Sequence, residues 1–420
     1  MKKTKTVIGI SIALAVIFWV ATKPAKHYVI APPIVMVTPA AISDVTATEN
    51  SLAKLIEHLA SELPGYDDFI PLAGGKTALV SSIDGWIWHV DLTTGAAERF
   101  ADAPLMPAGM HVVPSHPDQL YLCSSHFMGE TYPDDEKVGL YRLDIISKKF
   151  TPIVLNVPSN TLALSGYEAD AIVYRDDSIA PEITQENADG DSRPLAFCND
   201  LEVSDDGRRI YFTEPFSYEG ASMGGGAIGE AITLGGNGRL WRHDLDNGKT
   251  RLIAQGFNFI DGILTEPSAD GGREQSVLVS QTSSFGITRF YLNGPRAGQH
   301  DYLWQGLTAM PDGLDRDSAG RIWTGTIKCR SKSTTWIHAN AWIKPLLLRL
   351  PHSMIPVANC TGIMVFSPDA SGALYVGEIK DPVINAIASA IEHDGYIYLT
   401  NVGSKQKGLI RIKVSALVKN

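Results

Sequence analysis

Short runs of β-branched and aromatic residues recur in pairs from residue 77 onward, each pair divided by a polar turn. The first runs are TALVSS (77–82), QLYLCSS (119–125), RIYFTE (209–214), SVLVSQT (276–282), RIWTGT (321–326) and YIYLTN (396–401). The second runs, several opening on Gly, are GWIWHVDL (85–92), GLYRLDI (139–145), GRLWRHDL (238–245), GITRFYL (286–292) and GLIRIKV (408–414). PLLLRL (345–350) stands near the missing fifth, displaced by an insertion. Val, Ile, Tyr and Trp bounded by turns such as LTTG, SDDG, LDNG and DSAG are the chemistry of strands and tight turns. Six repeats of one paired unit predict an all-β fold over residues 63–420: a six-bladed β-propeller of four-stranded blades with short helical insertions. A β-sandwich also uses short strands, but gives no reason for the pair to recur six times.

The segments outside the repeat carry other patterns. An acidic, polar stretch at 175–193 reads as a surface excursion. Residues 334–350 (TTWIHANAWIKPLLLRL) are apolar, with Trp336 and Trp342, and read as a lid or a membrane-facing patch at a blade end. Leu52, Leu55, Ile56 and Leu59 fall at helical spacing and predict one amphipathic helix over 44–62, capped by Asp44 or Thr46. Residues 23–43 contain prolines and read as a tether or an extended arm. Ahead of them Lys2, Lys3 and Lys5 precede an uncharged apolar run from Val7 to Thr22. Its sixteen residues suit a short membrane anchor or a signal-peptide core. Trp19 and the lack of an A-x-A site favour the anchor, with the body on the extracytoplasmic side; cleavage would make the protein secreted. The predicted divisions are therefore 1–22 anchor or signal, 23–62 linker and helix, and 63–420 propeller.

Composition narrows the partners. Hydrophobic residues make up 44% of 420 and charged residues 20%, enough apolar surface for a large core. A net charge of −10 argues against nucleic acid and suits a cation. The four cysteines, Cys123, Cys198, Cys329 and Cys360, are widely spaced without a CxxC. That excludes a disulfide-dense scaffold and a zinc ribbon, and leaves room for one incidental bridge.

The candidate chemistry lies where the first strand of each blade meets the propeller axis. GYDDF (65–69), FCNDLEVS (197–204), FNFIDGIL (257–264) and MPDGLDRD (310–317) place an acid or amide at the same phase of separate repeats. Asp67, Asn199, Asp261 and Asp312 are thereby expected to converge. Carboxylates brought together without Lys or Arg repel unless a cation neutralises them. All-oxygen donors select Ca²⁺ or Mg²⁺ over zinc. Singly, each Asp-Gly or Asn-Asp is a turn; the recurrence is what points to metal.

The ordered series FCNDLEVSDDGRRIYFTEP, GNGRLWRHDLDNGKTRLIAQGFNFIDGI, GITRFYLNGPRAG, MPDGLDRDSAGRIWTG, NAWIKPLLLRL and IEHDGYIYLTNVGS resembles the strictosidine synthase-like family, of the adipocyte plasma membrane-associated protein type. The resemblance spans roughly residues 63–414 and also implies an N-terminal anchor. The wider superfamily includes the calcium-dependent paraoxonases and regucalcin-type gluconolactonases. Against the paraoxonase pattern, Asp67 stands for a Glu, Asn199 matches an Asn, Asp261 replaces a second Asn, and Asp312 matches the Asp of an Asp-Asn pair whose Asn is here Gly313. The resemblance also implies a second, structural ion at Asp68 and Asp200, with the Met110 carbonyl at its main-chain position. One dyad histidine of that pattern is Ala108; the other matches His126. Strictosidine synthase needs a Glu four residues before EHDG, and here Ala388 holds that place, so the Pictet–Spengler condensation is not expected.

Two motifs are decoys. GASMG (220–224) fits G-x-S-x-G around Ser222, and GGGAIG (224–229) fits G-x-G-x-x-G, but both fall in a glycine-rich loop without a strand-to-helix elbow or a βαβ unit. Cys198 beside Asn199 reads as packing. The expected activity is calcium-dependent hydrolysis of a small-molecule ester or lactone, with Asp312 or His126 assisting water. The alternative is a non-catalytic propeller that binds a ligand or partner.

Overall fold

The structure is a computed structural model and describes residues 29–113, 116–159, 172, 182–184, 192–217, 222–267, 273–403 and 408–418. The apolar run at 7–22 lies outside them, as does most of the stretch at 175–193. Among the described residues no helix is long and apolar enough to cross a membrane.

The fold is all-β and propeller-like, built from antiparallel meanders of four consecutive strands. The clearest are Met106–Val112 to Lys149–Val154, Ile260–Glu266 to His300–Trp304, and Ala309–Arg316 to Ala373–Ile379. A five-stranded sheet runs Leu201–Val203, Arg209–Glu214, Gly238–Asp244, Lys249–Phe257, with Glu182–Ile183 on its outer edge. An eight-stranded sheet joins the meander Tyr66–Pro71 to Ala97–Asp102 with Ile387–His393, Tyr396–Asn401, Leu409–Lys413 and Glu57–Leu59. Its two halves touch through the single register pair Tyr66 and Asn401.

The innermost strands pack side by side in chain order. Tyr66–Pro71 lies on Met106–Val112, and so on to Ile387–His393, which returns to Tyr66–Pro71 and closes the cycle around a channel. Second strands such as Arg209–Glu214 and Ser276–Gln281 are buried along their whole length, because each is covered by sheets on both faces. Outer strands such as Ala97–Asp102 are largely exposed. Large side chains, among them Trp241, Trp323, Tyr66 and Phe212, fill the spaces between sheets.

Three local expectations are corrected. Residues 44–62 do not form one helix: a short helix Ala40–Val45 and a 3₁₀ turn Ser51–Lys54 are followed by the strand Glu57–Leu59, which pairs with Leu409–Lys413. Edge pairing with the last strand outweighs the helical spacing there. PLLLRL is not a strand; Lys344–Leu347 is helical, and the third strand of that sheet is Thr361–Phe366. The glycine stretch after Ser222 is not a loop: Gly225–Thr233 is a helix. A side chain at Gly226 would meet Phe216 at 2.3 Å, so the helix can sit on that ring only with a glycine there.

The cysteines form two bridges, not one: Cys123–Cys198 and Cys329–Cys360. Cys198 is thus a crosslink fixing the segment before Asn199, not simple packing. Residues 29–39 are the extended arm, held by Ala31 N–H to Thr233 O (2.9 Å) and Ile34 N–H to His338 O (2.9 Å).

Candidate metal centre

A shared irregularity brings the axial residues together. The ladder between first and second strands slips between Tyr66 and Asp68, Pro107 and Met110, Ile260 and Ile263, Pro311 and Leu314, and Ile387 and Ala390. Each slip is a bulge, which bends its strand and re-aims a side chain. Asp67, Ala108, Asp261, Asp312 and Ala388 occupy these slips, and Asn199 stands just before its own inner strand. The two alanines that replace expected catalytic groups are thus at the same phase as the ligand candidates.

Asp67, Asn199, Asp261 and Asp312 each line both a cavity of about 660 Å³ on one side and a cavity of about 790 Å³ on the other. They form the partition between the two halves of the channel. Asn199, Asp261 and Asp312 are buried. Asn199 Nδ2 donates to Asp261 Oδ1. Asp312 N–H donates to Thr324 Oγ1 (3.2 Å), and Thr282 Oγ1 donates to Pro311 O (2.7 Å), which pins the strand carrying Asp312. Close approach of the strands demands glycine beside the carboxylates: a Cβ on Gly262 would lie 2.3 Å from Asp312 O. On Gly313 it would lie 2.1 Å from Ser389 Oγ, so the Asn of the paraoxonase pattern would require that hydroxyl to turn away.

The electrostatics leave the carboxyls crowded and uncompensated. Burial, then Asp261 and Asp68, hold Asp67 well above the ordinary carboxylate range. Burial and Asp312 do the same to Asp261. Burial, reinforced by Asp67 and Asp200 and opposed by hydrogen bonding to Asp261, lifts Asp312 to about 7. No Lys or Arg appears among the causes for any of the three. Four oxygen-bearing side chains with unneutralised carboxyls fit a hard divalent cation, with Asp67, Asn199, Asp261 and Asp312 as holders.

Asp68 and Asp200 face only the larger cavity. Channel solvent leaves them half-buried, yet burial still dominates their titration: Asp68 rises to about 6, and Asp200 well above its ordinary range. Their oxygens accept backbone N–H groups of the neighbouring blade, Met110 to Asp68 Oδ2 (2.6 Å) and Ile263 to Asp200 Oδ2 (3.2 Å). A side chain on Gly109 would meet Asp200 Oδ1 at 2.2 Å. Met110 therefore engages Asp68 through its N–H, and the pair ties adjacent inner strands together.

Sequence reasoning missed the next layer down. His111 Nδ1 lies 3.3 Å from Glu202 Oε2, and Asp315 faces the same cavity. Burial opposes protonation of His111, but Glu202, Asp68 and Asp315 outweigh it and raise the imidazole. Burial lifts Asp315 to about 8. The available signal was an acid three residues after two of the ligand candidates, in NDLE and DGLD. Thr282 and Ser389 had no such signal. His126 lines neither cavity; its ring packs against Tyr132 at 5.5 Å, and burial lowers its pKa. Ser222 also lines neither cavity. Cys329 and Cys360 approach Glu378, but their sulfurs are bonded to each other and offer no thiolate.

A pH dependence follows. In chelated protein the raised folded-state pKa values of Asp68 (about 6), Asp312 (about 7) and Asp315 (about 8) exceed those of an unfolded chain. Such groups stabilise the fold below the unfolded pKa, and that contribution is lost as pH rises through the folded value. Melting of chelated protein is expected at a lower temperature at pH 8 than at pH 5. Saturating Ca²⁺ is expected to narrow or reverse that order, because the cation binds the deprotonated carboxylates.

No family model matches the chain. In sequence it is similar to the adipocyte plasma membrane-associated protein of Salmo salar, 28% identical over 261 residues, 58% of each chain. It is also similar to Protein STRICTOSIDINE SYNTHASE-LIKE 10 of Arabidopsis thaliana, 25% identical over 224 residues, 51% of this chain and 57% of that one. The match thus spans little more than half the length of these relatives. Among solved structures a luciferin-regenerating enzyme aligns over 86% of this chain and 96% of its own, with a TM-score of 0.53 at 8% identity, a likeness of fold alone. The similarity read from the ordered motifs is therefore present, and the architecture is of the propeller kind.

Proposed function

We propose that the chain is a calcium-dependent hydrolase of small-molecule esters or lactones, carried by a six-bladed β-propeller. The eight-stranded sheet is read as two blades, one completed by Glu57–Leu59. The observation that carries the reading is the ring of Asp67, Asn199, Asp261 and Asp312 at the floor of an otherwise largely apolar cavity. Calcium held by these residues would supply a Lewis acid for the carbonyl oxygen. In this reading Asp312, which lines the cavity with the other three holders, would accept the proton from attacking water. With Ala108 at the dyad position and His126 off the cavity, an imidazole base is not part of this reading. Ala388 leaves the condensation of strictosidine synthase without its carboxylate. A second, structural ion at Asp68 and Asp200 is a weaker extension. The same features of His126 and Ala108 favour the second reading, a non-catalytic ligand-binding propeller. Metal analysis of protein purified without chelator is expected to give at least one equivalent, with aryl-ester or lactone turnover abolished by chelation. Metal without turnover on any ester or lactone selects the binding module; metal-free, calcium-indifferent protein removes the calcium-dependent hydrolase.

We also read the protein as membrane-anchored through residues 7–22, with the propeller extracytoplasmic and nucleic acid excluded as a partner. Two features support this. Two disulfides suit an oxidising compartment. The arm of residues 29–39 is hydrogen-bonded to the two helices that line the smaller cavity, so the start of the described chain lies on that side. Trp336 (51% exposed), Trp342 (70%) and Met354 (60%) also belong to the insertion there. Trp336→Ala combined with Trp342→Ala is expected to weaken liposome association of a chain lacking residues 1–30, and to lower activity on apolar substrates more than on water-soluble ones.

A further inference from the structure

The smaller cavity is walled by apolar side chains, including Phe127, Met223, Ile228, Phe259 and Ile337. Among the described residues this surface holds one Lys and no Arg: Lys328. It lies on the strand Ile322–Cys329 and shares a face with Thr324 and Thr326 by the alternation of strand side chains. Thr326 is in register with Pro311, the residue before Asp312. Lys328 thus stands two residues beyond that level, roughly 7 Å along the strand toward the cavity. Its ammonium donates to the Asn385 carbonyl, and among the described residues it has no carboxylate partner. An ammonium carries three donors, and holding it half-buried without a counter-ion is costly. A half-buried ammonium on an apolar cavity wall without a carboxylate beside it belongs to ligand recognition more readily than to stability.

We propose that Lys328 is a specificity-determining residue that receives a carboxylate at the far end of an apolar substrate whose ester or lactone carbonyl lies at the ring. The substrate class is therefore an apolar carbonyl compound with a second, anionic end, such as a half-ester of an aliphatic dicarboxylic acid. The assignment of the carbonyl end rests on the hydrolase reading; the anion subsite does not.

The experiment separates the two. Calorimetric binding of decanoate and of decanol is measured on the full, calcium-loaded chain, for wild type, Lys328→Met and Lys328→Arg. Wild type is expected to bind decanoate roughly tenfold to a hundredfold tighter than decanol, the range of a charge-assisted hydrogen bond. Lys328→Met is expected to erase that preference while leaving decanol affinity unchanged, and Lys328→Arg to restore part of it. In parallel, the monoaryl ester of a dicarboxylic acid is compared with its methyl-capped neutral counterpart, with the effect of Lys328→Met expected in KM of the anionic ester alone. A decanoate preference that survives in Lys328→Met, or that wild type lacks, overturns the proposal. A lost preference with neither ester turned over keeps the subsite and removes the hydrolase reading instead.

Discussion

Asp312→Asn is expected to lower ester or lactone turnover by at least about a hundredfold, the scale of losing a group that stabilises charge at the reacting centre. The substitution keeps the shape of the side chain and removes the charge and the proton acceptor. Its backbone N–H remains bonded to Thr324 Oγ1, so the inner strand has no reason to move. A second readout guards against a trivial loss of folding. Asp312 is one of the carboxyls that raise Asp261, so removing its charge relieves repulsion in the metal-free channel. Chelated Asp312→Asn is therefore expected to melt at or above chelated wild type at pH 8, while gaining less from added Ca²⁺. Asn199→Ala is expected to lose turnover likewise, and Ser222→Ala to leave it unchanged. Loss of activity in Ser222→Ala with an active Asp312→Asn would return the chemistry to a serine nucleophile.

Cys198→Ser is expected to cost about 4 kcal/mol of stability on a loop-entropy basis for a bridge closing 75 residues. The bridge joins the second strand of one sheet to the segment that delivers Asn199 to the axis. Its loss is therefore expected to weaken calcium affinity as well as lower the denaturant midpoint. Cys360→Ser opens the other bridge, which closes 31 residues around the helical insertion. That variant is expected to lower stability by a similar amount while leaving metal stoichiometry intact. Urea titration with and without Ca²⁺ measures both; equal calcium response in the two variants would refute a role for Cys198 in shaping the ring.

The paired runs made the sheets legible because each second strand is buried on both faces and so keeps its β-branched and aromatic residues regardless of loop length. The axial residues were legible because Asp or Asn recurs at or just before four inner strands and stands out against apolar runs, whereas the slips of the other two hold Ala108 and Ala388. What escaped was set by contacts between distant parts of the chain. Glu57–Leu59 is a strand only because Leu409–Lys413 offers it an edge. Gly225–Thr233 is a helix despite its glycines because Phe216 receives it. The pairing of Cys123 with Cys198 across 75 residues leaves no trace in cysteine spacing. Lys328 lies in a sequence, TGTIKCRS, that reads as an ordinary strand end until a cavity is seen beside it.

The seam formed by Glu57–Leu59 and Leu409–Lys413 also dictates an order of events during biosynthesis. Glu57 meets Arg411 across 354 positions, with Arg411 Nε donating to Glu57 Oε2 at 3.2 Å. Contacts of such separation form slowly, because the chain between them must first be brought into place. A ribosome delivering the chain from its N-terminus makes Glu57 354 positions before Arg411. Until then the first sheet waits with an open edge, and any chain that can add a strand there competes with Leu409–Lys413.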